Sequence, residues 1–169
     1  MSRRRSSGPG FRVSDEFVAV HPNSDPTATN LVINLLSAGL LVQAKMDALL
    51  RDAYLTAASY NALRVVAGDP EPLTPSIIAE RVVVPVTNAT MTGILDTLER
   101  RGYVERRAHP TDRRRKLVHI TMQGRRALAR ATPNLLNEEK RWTAALSKHA
   151  RVELADGVGT IADHLRKLG

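Results

Sequence analysis

The chain contains no cysteine. Disulfides, cysteine-ligated zinc and thiol-based oxidant sensing are excluded together, so any switch must use another chemistry. Catalytic signatures are missing too: there is no glycine-rich phosphate loop, no nucleophile elbow and no metal-protease motif. Glu138 and Glu139 are adjacent on a predicted helix, where sequence neighbours point apart and cannot share a reacting atom. Neither catalysis nor a cofactor is expected. The histidines (His21, His109, His119, His149, His164) show no His-x3-His spacing, and no metal site is expected, although His149 and His164 would approach each other if the last helices packed antiparallel. Aromatic residues amount to 4%, which leaves little to wall a ligand pocket. No uninterrupted apolar run reaches the ~20 residues of a membrane span. The most apolar stretch, 31 to 44, is broken by Asn34, Ser37, Gly39 and Gln43 and reads as a buried helix. Arg3, Arg4 and Arg5 are not followed by the apolar core of a signal peptide, so a cytoplasmic protein with no membrane partner is the expectation.

What the chain does have is positive charge in one place. Its 169 residues are 43% apolar, enough for a real core, with a net charge of +8 and a pI near 10.6. Between positions 100 and 116 stand eight cations (Arg100, Arg101, Arg106, Arg107, Arg113, Arg114, Arg115, Lys116) against two acids (Glu105, Asp112), a net +6. Charge focused in this way points to a polyanion.

Local signals give the charge a shape. Residues 1 to 24 mix arginine, serine, glycine and proline and read as a flexible basic arm with a short docked piece around 11 to 20. Asp25-Pro26 is a cap followed by a proline at the first helical position, opening a helix to about Leu50. That helix is apolar on nearly every side and should pack on both its own core and a partner chain. Thr56 caps a second helix to about Ala67, 68 to 72 is a breaker cluster, and Thr74-Pro75 starts a short helix ending near Val82. The next helix opens at Val83-Val84-Pro85, carries an apolar stripe of Met91, Ile94, Leu95 and Leu98, and stops at Gly102. Two helices joined by a brief turn, the second amphipathic, form a helix-turn-helix. Short strands over 103 to 107 and 116 to 121 make a hairpin with a cationic tip. Thr121 caps a long helix to about Leu146 in which Pro133 predicts a kink or break near Thr132. Ser147 starts the last helix, to Leu168.

The side of the recognition helix opposite its apolar stripe carries Val86, Ala89, Gly93 and Arg100, flanked by Thr90, Thr92 and Thr97. Small side chains let a helix axis approach a groove floor, and alanine or threonine methyls can touch thymine methyls. Asn88 either pairs an adenine or caps the helix. An arginine on the rigid turn of the hairpin can enter a narrow minor groove, while its basic neighbours hold phosphates.

The pattern Leu98-Glu99-Arg100-Arg101-Gly102-Tyr103-Val104-Glu105-Arg106, then Pro110-Thr111-Asp112-Arg113-Arg114, then 118 to 124 (Val-His-Ile-Thr-Met-Gln-Gly) resembles the MarR family of bacterial winged-helix transcription regulators. The resemblance covers roughly residues 30 to 165, with a specific wing motif and individually weak helix patterns. It implies a mainly α fold with a small β-wing: a winged helix-turn-helix over 51 to 121, between an N-terminal dimerisation helix at 25 to 50 and C-terminal dimerisation helices at 122 to 169. It places groove contacts at Thr87, Asn88, Thr90 and Thr92, which with Ala89, Gly93 and Arg100 form the expected reading face. In the family's Asp-x-Arg pattern Arg114 enters the minor groove and Asp112 orients it or a neighbouring arginine, leaving Arg113, Arg115 and Lys116 for phosphates. The resemblance also implies a homodimer on a pseudo-palindromic duplex operator, repression more often than activation, and a small-molecule effector. Tyr54, Tyr60, Arg64 and Trp142 are the available lining for an effector site, with core or surface roles as the alternative. Two departures from the family pattern stand out, Pro133 and the valine triplet before Pro85. The rival readings are a non-specific architectural DNA binder and a protein-binding winged helix.

Overall fold

The computed structural model describes residues 9 to 84, 86 to 112 and 115 to 168. The chain is mainly helical with one two-stranded antiparallel sheet among these residues. Asp15–Val20 (α1) is a short helix capped by Ser14. Upstream of it, residues 11 to 13 are laid on the following helix: Phe11 N–H donates to Asn34 Oδ1 (2.7 Å), Asn34 Nδ2 returns a bond to Phe11 O (2.9 Å), and Val13 N–H donates to Asn30 Oδ1 (2.8 Å). The docked piece expected within the N-terminal arm is therefore clamped by two side-chain amides one helical turn apart.

Pro26–Leu50 (α2) opens as its cap predicts. The Asp25 carboxylate accepts from the Thr27 hydroxyl (2.6 Å) and from the amides of Ala28 and Thr27, and these bonds hold its pKa below the ordinary carboxylate value. Within the single chain only Leu50 of α2 is buried, so the helix packs on its own core at one end alone. Leu31, Val32, Leu36, Leu40, Leu41 and Val42 are exposed, because the core lies only at the C-terminal end of the helix. The stretch Pro26–Ala53 is also long and apolar enough to cross a membrane by length and composition, with a mean hydropathy of 1.3 over an 18-residue window, so the interruptions at Asn34, Ser37, Gly39 and Gln43 do not exclude a span as the sequence reading supposed.

A 3-10 turn, Arg51–Ala53, leads to Ala57–Gly68 (α3), where Thr56 and Ser59 cap each other's backbone amides reciprocally. In the loop that follows, Asp69 accepts from Glu71 N–H and pairs with Arg81, which lowers its pKa and ties the loop to the end of Pro75–Arg81 (α4). Asn88–Arg100 (α5) packs on α3 and α4. It ends in a Schellman arrangement, with Tyr103 N–H on Leu98 O and Gly102 N–H on Glu99 O, closed by Gly102 at φ +68°. Val104–Ala108 (β1) then pairs with Lys116–Ile120 (β2), Arg106 opposite Val118. Leu73 adds a single bridge to Val118, so the hairpin is joined to the segment before α4, a link the sequence did not announce.

Met122–Trp142 (α6) is capped by Thr121 as expected, but it runs unbroken through Pro133 and ends four residues before Leu146. Ala131 and Leu135 are buried on either side of the proline, and the Thr132 hydroxyl meets Tyr60 Oη at 3.0 Å, so packing holds the turn whose ladder bond is missing. Near the start of α6, Gly124 lies against the Tyr103 carbonyl so closely that a Cβ there would overlap it. Lys148–Leu168 (α7) follows, Ser147 Oγ accepting from Ala150 N–H, and has no buried residue. The core is central: Tyr60, Leu63, Ile78, Met91, Leu95, Leu98, Val104, Val118 and Leu135 are its largest fully enclosed side chains together with Leu50.

Candidate nucleic-acid interface

Helix α5 is fixed from below and bare above. Met91, Leu95 and Leu98 are fully buried and Ile94 packs partly against the same core, as the apolar stripe predicts. Thr87, Asn88, Ala89, Thr90, Thr92 and Gly93 are all exposed, and a Cβ added at Gly93 would meet nothing. Helix α5 does not begin at Pro85, which lies outside the described residues. It begins at Asn88, because Thr87 Oγ1 accepts from Thr90 N–H at 3.1 Å and supplies the cap. Asn88 is thus the first helical residue and not the cap. Val86 precedes the helix and packs partly on the core, so it leaves the expected outward face.

The threonine hydroxyls of this face are engaged by the helix itself. Thr92 Oγ1 donates to Asn88 O (2.9 Å), Thr97 Oγ1 donates to Gly93 O (3.0 Å), and the Thr87 and Thr90 hydroxyls bond each other (2.9 Å). With these bonds made within the helix, the residues turn their methyl groups outward beside the remaining oxygen lone pairs. Arg100, also exposed, donates from Nη2 to Thr97 Oγ1 at 3.1 Å.

The hairpin is braced against α5 by a residue whose role the sequence reading missed. Arg106, on β1, pairs through Nη1 with Asp96 and with Glu99 (3.2 Å), its backbone N–H donates to Glu99 Oε1 (3.0 Å), and its Nη2 reaches Thr92 O (3.3 Å). Its side chain is only 20% exposed. The signal was present as Asp96 and Glu99 three apart on α5, but the charge count, confined to positions 100 to 116, set Arg106 only against Glu105 and Asp112. Arg107 is likewise paired, with Glu105, and Arg101 lies over the Tyr54 ring at 5.2 Å. Among the described residues of this window, Arg106 is withdrawn into the brace, while Arg100, Arg101, Arg107, Arg115 and Lys116 are exposed, Arg107 beside Glu105 and Arg101 on the Tyr54 ring.

At that tip His109 N–H donates to Arg115 O (3.1 Å) and Arg115 N–H to Asp112 O (3.0 Å), which closes the loop above the β1–β2 ladder. Asp112 is half-buried. Arg113 and Arg114, including the arginine singled out for the minor groove, lie outside the described residues.

The four residues suggested as lining for an effector site take different places in the fold. Tyr60 is a core residue bonded to Thr132, with the Arg64 guanidinium over its ring at 5.7 Å. Trp142 packs partly against the core from the end of α6. Tyr54 is 67% exposed, held in the left-handed region at φ +53°. Two clefts lie away from them, one bounded by α1 and the turn 21 to 24 and one along α6 at Gln123, Arg126, Ala129 and Arg130. His149 is engaged with Glu153 one turn along α7, at 3.3 Å.

A sequence profile of the MarR family matches residues 55 to 116. The chain is 32% identical over 114 residues to the transcriptional regulatory protein for the hcr operon of Thauera aromatica, an alignment covering 68% of this chain and 63% of that protein's length. Among solved structures, the transcriptional repressor CouR bound to a 23-mer DNA duplex is 29% identical, with a TM-score of 0.72 over 80% of this chain and 94% of CouR. CouR from Rhodococcus jostii RHA1 has also been solved with p-coumaroyl-CoA, at 22% identity and a TM-score of 0.70 over 82% of this chain and 96% of that one. The MarR family regulator Sco5413 from Streptomyces coelicolor, 23% identical, shares the fold at a TM-score of 0.74 over 85% of this chain and 98% of its own.

Proposed function

We propose that the chain, which is similar to the MarR family over residues 55 to 116, is a regulator of that family and controls transcription by binding a pseudo-palindromic duplex as a homodimer, acting as a repressor. One observation carries this reading. A helix with a buried stripe and a small-residue exposed face is locked through Arg106 to a hairpin whose tip presents Arg115 and Lys116. Such a unit can lay its helix in a major groove and its tip against the next minor groove. CouR, a transcriptional repressor solved on a DNA duplex, supports it.

Dimerisation is supported by the unburied apolar residues of α2, with those of α7 (Val152, Leu154, Leu165), since two linked copies are needed to address half-sites one helical turn apart. Within this reading Thr87, Asn88, Ala89, Thr90, Thr92 and Gly93 face the bases, Arg114 enters the minor groove beside Asp112, and Arg100, Arg113, Arg115 and Lys116 hold phosphates. A small-molecule effector acts by favouring a spacing of the two reading units that no longer fits DNA, a population shift set by its differential affinity. CouR's structure with p-coumaroyl-CoA supports effector binding in the family. Of the four lining residues suggested by the sequence, Tyr54, Arg64 and Trp142 retain exposure for such a contact.

Arg114→Ala is expected to weaken binding to the preferred duplex by about 1 to 3 kcal/mol in a gel-shift titration, and unchanged affinity would remove the minor-groove assignment. Arg115→Ala should lower binding to all duplexes alike and reduce the salt slope by about one unit. A second reading, a non-specific architectural DNA binder, is favoured by one feature: no arginine, lysine or glutamine stands among the exposed residues 87 to 93.

A further inference from the structure

The turn between α4 and α5 contains an exposed apolar pair that the fold itself does not use. Val83 and Val84 are each 69% exposed, whereas Val82 just before them is buried and Val86 just after packs partly on the core. Anchored on both sides, the chain pushes these two valines outward immediately before the cap of α5. Turns usually carry polar residues that satisfy their own backbone, so two β-branched apolar side chains held in water here are unexplained by local structure.

Their neighbourhood supplies an explanation. The adjoining face of α5 offers Ala89 and the methyls of Thr87, Thr90 and Thr92, whose hydroxyls bond within the helix, with Asn88 as its amide side chain, so much of its outward chemistry is methyl as well. The first cation along α5 is Arg100, at its far end. A surface of methyl groups has one specific complement on duplex DNA, the C5 methyl of thymine in the major groove, which an apolar contact distinguishes from cytosine. We propose that Val83 and Val84 are specificity residues that pack against thymine methyls at the edge of the bases addressed by α5, so that the preferred duplex is read more by methyl contacts than by hydrogen bonds. The inference rests on the DNA-binding reading above and adds to it a chemical class of determinant and two residues.

The test needs a duplex selected from a random pool by the full-length protein, then re-synthesised with uracil replacing thymine one position at a time. This removes only the C5 methyl and leaves every hydrogen-bonding edge intact. The wild-type protein is expected to lose roughly fivefold to tenfold in affinity at one or more positions in each half-site, within the range of a single lost base contact. The V83S/V84S variant, altered only at exposed positions, should bind the all-thymine duplex more weakly by a similar factor and be indifferent to uracil at one of those positions. Its affinity for random duplex at matched salt should be unchanged. Equal uracil penalties in both proteins, or a variant that binds the selected duplex as the wild type does, would overturn the role of the valines while leaving DNA reading by α5 and the wing intact. Failure to select any preferred duplex would overturn both.

Discussion

The middle of the chain and its two flanks use apolar residues in opposite ways. Between Leu50 and Leu135 they close a core in which Leu63, Ile78, Met91, Leu95, Leu98 and Val118 lose all contact with water. In α2, an apolar helix, and in α7, an amphipathic one, almost nothing is buried: one residue in the first and none in the second. Both flanks obey the same physics, since an exposed leucine row gains by finding another surface. The difference is that the central unit can satisfy itself within one chain, whereas the flanks are built for contact with something else. In the proposed reading that partner is a second copy, and the self-contained middle is what each copy presents to DNA.

Substitutions that strike the two regions should separate them. The largest effect is expected in the core, where Leu95→Ala should destabilise folding by about 2 to 5 kcal/mol in denaturant titration, independently of protein concentration. Leu40→Ser on α2 removes no buried contact within the chain and should act through association. Sedimentation should show a higher dissociation constant, and the melting temperature should become more dependent on concentration. A concentration-independent loss as large as that of Leu95→Ala would erase the contrast. Next comes Gly124→Ala, whose Cβ overlaps the Tyr103 carbonyl at the root of the wing. About 1 to 3 kcal/mol should be lost by thermal melting.

Arg106→Gln sharpens the comparison within the middle region. Its partners Asp96 and Glu99 are 47% and 39% exposed, so solvent screening should keep the folding cost below about 1 kcal/mol. DNA affinity should nevertheless fall, because the hairpin tip would no longer be held at one distance from α5. Equal DNA binding by wild type and R106Q would show that the brace is only structural. The smallest effect concerns acid. Asp69 has a pKa lowered first by the Glu71 amide and then by Arg81, so its contribution is present above the ordinary carboxylate pKa and fades as pH falls through the lower folded value. Asp69→Asn should flatten that part of the stability profile, as followed by melting temperature between neutral pH and pH of about 3.

Much of the fold was legible because its signals are local. Asp25, Thr56 and Thr121 cap the helices they were expected to cap, Gly102 stops α5, and the Met91, Leu95, Leu98 spacing places the buried face. What escaped depends on partners distant in sequence. The Arg106 brace joins a strand to acids seven and ten residues earlier. Leu73 reaches Val118 across the whole helix-turn-helix. Pro133 stays within a continuous helix because Ala131, Leu135 and the Tyr60 hydroxyl hold the turns around it. Hydropathy alone also marked α2 as buried, when composition says only that a surface would gain from being covered and not by what. The site itself was half legible: the small face of α5 follows from periodicity, but the engagement of its threonine hydroxyls, and with it the methyl character of that face, required coordinates.

The central claim is that a small-faced helix and its braced hairpin read sequence. The most direct measurement compares, at one salt concentration, the affinity of the purified protein for a duplex selected from a random pool with its affinity for unselected duplex. The account predicts a preference on the order of a thousandfold or more, carried by two inverted half-sites whose centres lie about one helical turn apart. A ratio near unity, with no repeated half-site in the selected pool, would contradict it.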